Sequence, residues 1–193
     1  MAPNVESQTP YQRYKEKWSS CTRCKLHHKR DRIVLGRGKL PADIVFVGEA
    51  PGISEDVLGL PFKGPAGKLL DEIIEVSGAD EYRCYILNLI ACIPLGKDNA
   101  KVSEPPEFAV KACWPRLCEI MQIARPKIVV RVGKHAQQRL NSWKQLTPKG
   151  LRPSVVDIVH PAYILRADIS QRGLAIQRCE VAIADAIDTV LRG

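Results

Sequence analysis

Four short runs rich in valine and isoleucine recur along the chain and predict strands buried on both faces. They occupy residues 43–47, 85–90, 127–132 and 154–159. Helical spacing of apolar residues predicts helices between and after them, at residues 66–76, 105–123, 134–140 and 174–191. Strands that alternate with helices favour parallel βαβ units. The pattern therefore predicts an α/β fold, a three-layer α/β/α sandwich with a central four-stranded, mainly parallel sheet.

The first part of the chain has a different character. Tyr11, Tyr14 and Trp18 recur at helical spacing, which predicts a short polar helix before Cys21. Residues 21–39 are irregular and rich in Arg, Lys and Gly. Because no repeat or linker interrupts the sequence, we predict a single domain over residues 1–193.

The charge of the chain indicates which class of partner it binds. The chain carries a formal net charge of +8, and clustered Lys and Arg displace counterions from phosphate backbones, so nucleic acid is favoured. No apolar run approaches the ~20 residues needed to cross a bilayer. The first residues also lack the apolar core of a signal peptide. We therefore expect no membrane association and an intracellular protein, in the cytoplasm or on the nucleoid.

Unusual segments follow three of the predicted strands. Ligands in open α/β sheets bind beyond the carboxyl ends of the strands, so these segments are expected to converge at one edge. The segment after the first strand consists of Gly48, Glu49, Ala50, Pro51 and Gly52. Its glycines allow a substrate to approach the backbone closely, and Glu49 or Glu55 could orient a water molecule. The alternative is an ordinary turn with solvated acids.

Phe62 and Asn88 are the next candidates. Phe62 stands in a loop stiffened by prolines, where a rigidly held ring can stack on a base or simply plug the loop. Asn88 lies in an otherwise apolar strand, where a buried amide needs partners. It could cap a neighbouring loop. A fixed amide also offers an acceptor and a donor that complement the N3–H and O4 edge of uracil, whereas cytosine presents the opposite pattern.

His160 ends the fourth predicted strand and is followed by Pro161 and, later, by Arg166. A lone histidine is usually structural. Its position at the converging edge favours a second interpretation, in which it donates a hydrogen bond to uracil O2 as negative charge develops there.

Cys21 and Cys24 form a CxxC pair in a loop, which indicates a metal or cluster site that needs a second pair. The candidates for that pair are Cys84, Cys92, Cys113, Cys118 and Cys179. Cys92 and Cys113 bracket a polar loop that a shared centre could anchor. Spacing alone leaves zinc and iron-sulfur open, and Cys84 and Cys179 fit buried structural thiols.

Five segments together closely resemble the family 4 uracil-DNA glycosylases, in order and over nearly the whole chain. They are CTRCKLHHKR, VGEAPGISEDVLGLPFKGPAGKLLDEII, YILNLIACIP, CWPRL and HPAYILR. The resemblance implies a 4Fe-4S cluster with a structural or DNA-positioning role. Its implied ligands are Cys21, Cys24, Cys92 and Cys113. It also implies that Phe62 stacks on uracil, that Asn88 reads its edge and that His160 supports the leaving pyrimidine.

The same resemblance places Glu49 in the first active-site motif and Glu55 near uracil C5, where a wall can exclude the methyl group of thymine. Arg166 and the basic segment Lys25 to Arg37 are implied to hold DNA phosphates. Lys63, which replaces a common valine, adds charge beside the pocket. Ala50 stands where other glycosylases of the superfamily carry an aspartate. This favours stabilisation of a uracil anion over strong base catalysis.

The implied activity is hydrolysis of the N-glycosidic bond of uracil flipped out of DNA, a step of base excision repair. Single- or double-stranded uracil-containing DNA would be the partner, the chain would act as a monomer, and replication proteins are possible partners. Two alternatives stay open: a non-catalytic uracil or DNA sensor on the same fold, and a zinc-bearing nucleic-acid binding module.

Overall fold

The structure, a computed structural model, describes residues 8–96, 102–140 and 152–193. Its strands form a five-stranded sheet in the order β1-β3-β2-β4-β5. They are β1 Arg37–Gly38, β2 Ile44–Gly48, β3 Cys84–Asn88, β4 Ile128–Val132 and β5 Ser154–Ile158. Strands β2 to β5 pair in parallel, which confirms the predicted parallel sheet. The fifth strand, β1, pairs antiparallel with β3 and is only two residues long, too short to give a periodic signal.

The described helices agree with the predicted ones and add two short elements. They are α1 Pro10–Ser19, α2 Ile53–Leu58, α3 Pro65–Val76, α4 Glu107–Ala124, α5 Lys134–Arg139, α6 Pro161–Arg166 and α7 Ile169–Ile187. Helices α2 and α6, each of six residues, were not predicted. The one buried residue of α2 is Asp56, so no apolar stripe marks this helix in the sequence. Helix α7 begins five residues earlier than expected because Gly173 is accommodated inside it rather than interrupting it.

Alternation along the strands divides the core into two halves. Val45 and Val47 point to the side of α1 and α4, whereas Ile44 and Phe46 point to the side of α3 and α7. Each face of the sheet is therefore covered by helices, which confirms the three-layer sandwich. Among the described residues no helix is long and apolar enough to cross a membrane.

Strand register brings the predicted segments to one edge. Gly48 is the parallel partner of Asn88, and Val132 is the partner of Ile158. Beyond the strand ends, the Leu89 amide donates to the Gly48 carbonyl at 3.0 Å, so β2 and β3 stay locked where the loops begin. The turn after β2, the end of β3 and the segment after β5 consequently face one space.

Candidate active site and cysteine cavity

A cavity of about 750 Å³ opens at the carboxyl edge of the sheet. Of the residues selected from the sequence, the following line it: Glu49, Ala50, Pro51, Gly52, Glu55, Phe62, Asn88, His160 and Arg166. Residues more than 100 positions apart thus meet in one place, as expected from the sheet topology.

Asn88 is 2% exposed and carries a carboxamide for which the described residues supply no hydrogen-bond partner, although it lines the cavity. Its main-chain carbonyl, by contrast, accepts a hydrogen bond of 2.6 Å from Nη2 of Arg116. The residue as a whole is buried, but its amide atoms are open to the cavity, since among the described residues only Nε of Arg116 is a buried side-chain nitrogen or oxygen without a partner. An amide in this position can bind a ligand through one acceptor and one donor group. The side chain is thus held by its backbone and left available to the cavity, contrary to the loop-capping alternative.

Gly48 supports Asn88 and Phe62 by having no side chain. A Cβ built at Gly48 would collide with the amide oxygen of Asn88 and with the ring of Phe62, which lies 2.5 Å from it. The glycine is therefore required for close packing of these two side chains and not for an unusual backbone angle.

Gly48→Ala is expected to lower the free energy of unfolding by about 1–3 kcal/mol, because overpacking forces neighbours from their positions. Gly173→Ala is the matched control, since Gly173 lies inside α7 near its start and a Cβ there meets nothing within 4 Å. The control is expected to be neutral or to stabilise the protein by up to ~1 kcal/mol. Urea denaturation of both variants checks this, and equal effects would contradict the packing argument.

Phe62 is held in an unusual conformation. Its φ is +52°, a left-handed value that bulky residues rarely adopt, and such strain is characteristic of functional sites. A Cβ at Gly67 would collide with the Phe62 carbonyl, so the start of α3 packs directly against the backbone of the Phe62 loop. The ring lies 5.7 Å from the His160 ring, with 27° between the planes. The ring is buried, but it also forms part of the cavity wall.

Glu55 organises the loop that carries Phe62. Its carboxylate accepts backbone hydrogen bonds from Gly52 at 3.1 Å, Lys63 at 2.9 Å and Gly64 at 3.0 Å. A carboxylate with three such donors is fixed in place. Glu55 therefore joins the turn after β2 to the Phe62 loop, and it is poorly placed to orient a water molecule.

Glu49 is the other acid of the cavity. Its Oε1 accepts a hydrogen bond of 3.1 Å from the amide of His135 at the start of α5, the one partner that the described residues supply to this carboxylate. A Cβ at Gly133 would collide with this oxygen and would lie 2.9 Å from Cβ of His160. Gly133 thus allows Glu49 and His160 to approach each other.

His160 is held in a defined tautomer. It is the N-cap of α6, and its Nδ1 accepts a hydrogen bond of 3.2 Å from the Ala162 amide. Since Nδ1 accepts, the proton of the neutral ring is on Nε2, which becomes a donor. Burial lowers the pKa of His160; Glu49 opposes this shift and Arg166 adds to it. The ring is therefore a neutral Nε2–H donor at neutral pH.

This lowered pKa predicts a loss of stability in mild acid. The unfolded chain takes up a proton near the ordinary value of 6.5, whereas folded His160 resists protonation. Its contribution is complete above that pH and is lost as the pH falls towards the lower folded pKa. Urea denaturation across this range should show the loss. His160→Asn, which retains a capping oxygen, should show a shallower pH dependence; an unchanged dependence would contradict the assignment.

Charged residues predicted to hold DNA occupy different places. Arg166 is exposed and lines the cavity, beside Tyr163, which is 65% exposed. Lys63 is exposed and does not line the cavity, although its amide binds Glu55. In the basic segment, Arg30 donates to Sγ of Cys92 at 3.1 Å and Arg37 pairs with Asp71. Those two arginines are engaged within the protein.

Sequence reasoning missed part of the cavity wall. Gly133, Lys134, His135 and Gln137 line it, as do residues 102–105. The sequence could have predicted the first group, because Gly133 directly follows β4 and so lies at the same carboxyl edge of the sheet. Nothing in the sequence indicated that residues 102–105 fold back, where Glu104 pairs with His135 at 3.4 Å.

A second cavity is surrounded by the four cysteines selected from the sequence, Cys21, Cys24, Cys92 and Cys113. Cys84 and Cys179 belong to the other half of the core, and burial raises the pKa of the Cys84 thiol to about 12. Among the described residues no three His, Cys, Asp or Glu side chains converge on one ion position. The four cysteines instead line one cavity, and four cysteine thiolates are the usual ligands of a 4Fe-4S cluster.

Arg116 supplies a direct test of whether this cavity fits such a group. It is fully buried, it lines the cysteine cavity, and its Nε is the one buried side-chain nitrogen or oxygen without a partner among the described residues. A guanidinium has donors only, so this N–H needs an acceptor. Sulfur atoms in the cavity would provide it, and the charges of Arg30 and Arg116 would offset those of thiolates. The residues present fit an iron-sulfur cluster.

Comparison with known proteins places the chain in a family. A family model described as the uracil DNA glycosylase superfamily matches residues 35–180. The type-4 uracil-DNA glycosylase of Thermotoga maritima is 36% identical over 160 residues, which are 78% of this chain and 81% of that protein. This chain belongs to the type-4 uracil-DNA glycosylase family. The type-4 enzyme of Archaeoglobus fulgidus is 35% identical over 161 residues, covering 76% and 78% of the two chains.

A third type-4 uracil-DNA glycosylase, from Sulfurisphaera tokodaii, is 39% identical over 132 residues, 68% of this chain and 58% of that protein. The superfamily match contains Glu49, Asn88 and His160, and so covers the carboxyl-edge cavity. Cys21 and Cys24 lie before it. The family membership confirms the resemblance drawn from the sequence motifs.

Proposed function

We propose that this chain is a uracil-DNA glycosylase that hydrolyses the N-glycosidic bond of uracil flipped out of DNA, the first step of base excision repair. Family membership supports the activity. The observation that carries the proposal is the carboxamide of Asn88, which opens on a cavity that also contains Phe62 and His160 and has no hydrogen-bond partner among the described residues. A non-catalytic sensor or a zinc module is not favoured.

Recognition follows from these side chains. The Asn88 oxygen accepts from uracil N3–H and its NH₂ donates to O4, while Phe62 stacks on the base. Cytosine would leave groups on both partners unpaired, a strong basis for rejection. In this complex Ala50, Pro51 and Gly52 lie against the base, and Gly48 packs behind Asn88 and Phe62. Glu55 holds that wall rigid near C5, where the methyl group of thymine would collide.

Chemistry depends on stabilising the leaving base. As the C1′–N1 bond stretches, the sugar becomes cationic and uracil becomes an anion, and His160 Nε2–H donates to O2 where negative charge accumulates. Glu49, whose hydrogen bond to His135 fixes one oxygen, orients the water that attacks C1′. The water oxygen bonds to C1′, the N1 bond breaks with its electron pair on uracil, and a water proton leaves through Glu49 to solvent.

DNA binding places the flipped nucleotide in the cavity. A base inside a duplex cannot expose its glycosidic bond, so extrusion precedes hydrolysis. Arg166 at the cavity and Lys63 near it are the phosphate contacts we propose, because both are exposed cations. Their removal should weaken binding and reduce its salt dependence.

We also propose that Cys21, Cys24, Cys92 and Cys113 hold a 4Fe-4S cluster. A cluster there supplies a cross-link between three separate parts of the chain rather than chemistry on the base. Helix α1 is followed by the first two ligands, β3 by the third, and α4 carries the fourth. The protein would lose this connection if the cluster were removed.

Base release from a labelled oligonucleotide tests the activity. The purified protein is incubated with otherwise identical strands containing uracil, cytosine or thymine, single- or double-stranded, and alkali then cleaves abasic sites. We expect scission only with uracil. Tight binding without scission by iron-loaded protein would indicate the sensor instead. Colourless protein with zinc and no activity would indicate the binding module.

Several sequence-based expectations remain part of this proposal. We propose a single domain over residues 1–193 and a monomeric enzyme. We also propose that it is located in the cytoplasm or on the nucleoid and that replication proteins are among its partners. Size-exclusion chromatography with light scattering tests the monomer directly.

A further inference from the structure

We propose that Arg116 is a positioning residue that couples the cysteine cavity to Asn88. In this arrangement Nε–H donates to a sulfur of the cluster, while Nη2 fixes the backbone that carries the base-reading amide. The proposal rests on the cluster and the activity proposed above, and it adds a residue and a physical link that neither requires.

The first half of the link is at the cysteine cavity. Arg116 follows Cys113 by one helical turn on α4, and both line the cavity together with Cys92. Its Nε is buried without a partner, as shown above, whereas its terminal nitrogens are satisfied. The unused donor therefore belongs to the side chain that lies between the cavity and β3.

The second half is at the end of β3. Nη2 of Arg116 donates to the carbonyls of Asn88 at 2.6 Å and Leu89 at 3.0 Å. The Leu89 amide meanwhile donates to the Gly48 carbonyl. The Asn88–Leu89 peptide is thus held from two directions, through its carbonyl by Arg116 and through its amide by Gly48, which restricts the Cα–Cβ direction of Asn88 and aims its carboxamide.

A purely structural arginine would not explain this pattern. Anchoring α4 to the N-terminal region is already achieved by Nη1, which donates to the Tyr14 hydroxyl at 3.3 Å and to the Leu35 carbonyl at 3.4 Å. A buried guanidinium is difficult to desolvate, and leaving one N–H without an acceptor adds to that cost. A cluster sulfur as the missing acceptor completes all donors and connects the cluster with the recognition site.

Pulsed EPR tests the hydrogen bond from Arg116 Nε to sulfur in folded protein that retains Arg116. Cells grown with ¹⁵N-arginine supply the labelled holoprotein. Chemical reduction makes its cluster paramagnetic, and the coupling between ¹⁵N and the electron spin of the cluster is then measured. The Arg23→Lys/Arg30→Lys protein removes the two other arginines that line the cavity. We expect ¹⁵N coupling to persist there. Iron-loaded protein without it overturns the proposal, and absence of iron and sulfide overturns both the bond and the proposed cofactor.

Kinetics of Arg116→Lys tests the link to Asn88. Lysine retains the charge, but its single nitrogen cannot occupy the positions of both Nε and Nη2. The cluster's reduction potential should therefore change, and kcat for uracil release should fall about 10- to 100-fold with KM little altered. Tyr14→Phe is the matched control, because it removes one Arg116 contact and Tyr14 lines neither cavity. It should lower stability alone. Equal effects of the two variants on kcat, or an unchanged potential in Arg116→Lys, would overturn the coupling.

Discussion

Asn88→Asp is expected to reduce kcat for uracil release by about 100-fold or more, one of the two largest single-residue effects that the cavity predicts. The substitution preserves shape but replaces the amide donor by a second acceptor. That acceptor would face O4 of uracil, itself an acceptor, in a buried site. Single-turnover measurement with saturating enzyme checks the chemical step directly.

The matched control for this variant is Gln137→Glu. It makes the same amide-to-acid change in the wall of the same cavity, but Gln137 already donates to the Ile158 carbonyl at 3.1 Å. If Asn88 reads the base, Gln137→Glu should cost much less activity. Comparable losses would mean that added negative charge alone inhibits release, and near-normal turnover by Asn88→Asp would remove Asn88 from recognition.

The layers and the carboxyl edge of this fold were predictable because they depend on local pattern. Parallel strands buried on both faces appear as continuous apolar runs, and their order fixes which loops meet. Glu49, Asn88 and His160 were found in this way, as residues of unusual type at strand ends. The short elements α2 and α6 were not predicted. On α2 the buried residue is Asp56 while the apolar side chains are exposed, which reverses the usual pattern.

The roles of particular polar groups could be assigned only from the three-dimensional structure. Glu55 looked equivalent to Glu49 in sequence, yet three backbone amides occupy its carboxylate and make it a brace for the Phe62 loop. Arg30 and Arg37 looked like phosphate ligands, yet they bind Cys92 and Asp71. Partners contributed by distant segments cannot be inferred from local spacing.

Arg116 shows where a sequence signal was present but unused. In α4 the buried positions are Ala109, Val110, Cys113, Arg116, Leu117, Ile120, Met121 and Ala124. An arginine on this apolar stripe is an anomaly, because arginine is rarely buried. Where it is buried, it is almost always paired, so partners are expected. Periodicity could therefore have identified its burial. It could not have identified the carbonyls of Asn88 and Leu89 as its partners.

His160 offers the second large effect, and the structure allows its two nitrogens to be separated. Asparagine at this position can still accept from the Ala162 amide as an N-cap, but it has no group at the position of Nε2. Glutamine is longer and can place an amide N–H near Nε2. The two variants thus differ in the donor proposed to stabilise the uracil anion.

We expect His160→Asn to lower kcat by about 100- to 1,000-fold, as loss of one anion-stabilising donor does elsewhere, and His160→Gln to recover part of that loss. Because the imidazole acts in its neutral form, substrates that release a more stable uracil anion, such as 5-fluorouracil in DNA, should be less affected by His160→Asn. Uniform losses on both bases would instead assign His160 to binding. Equal activity of the asparagine and glutamine variants would show that Nε2–H does not contribute, leaving the N-cap as the role of this residue.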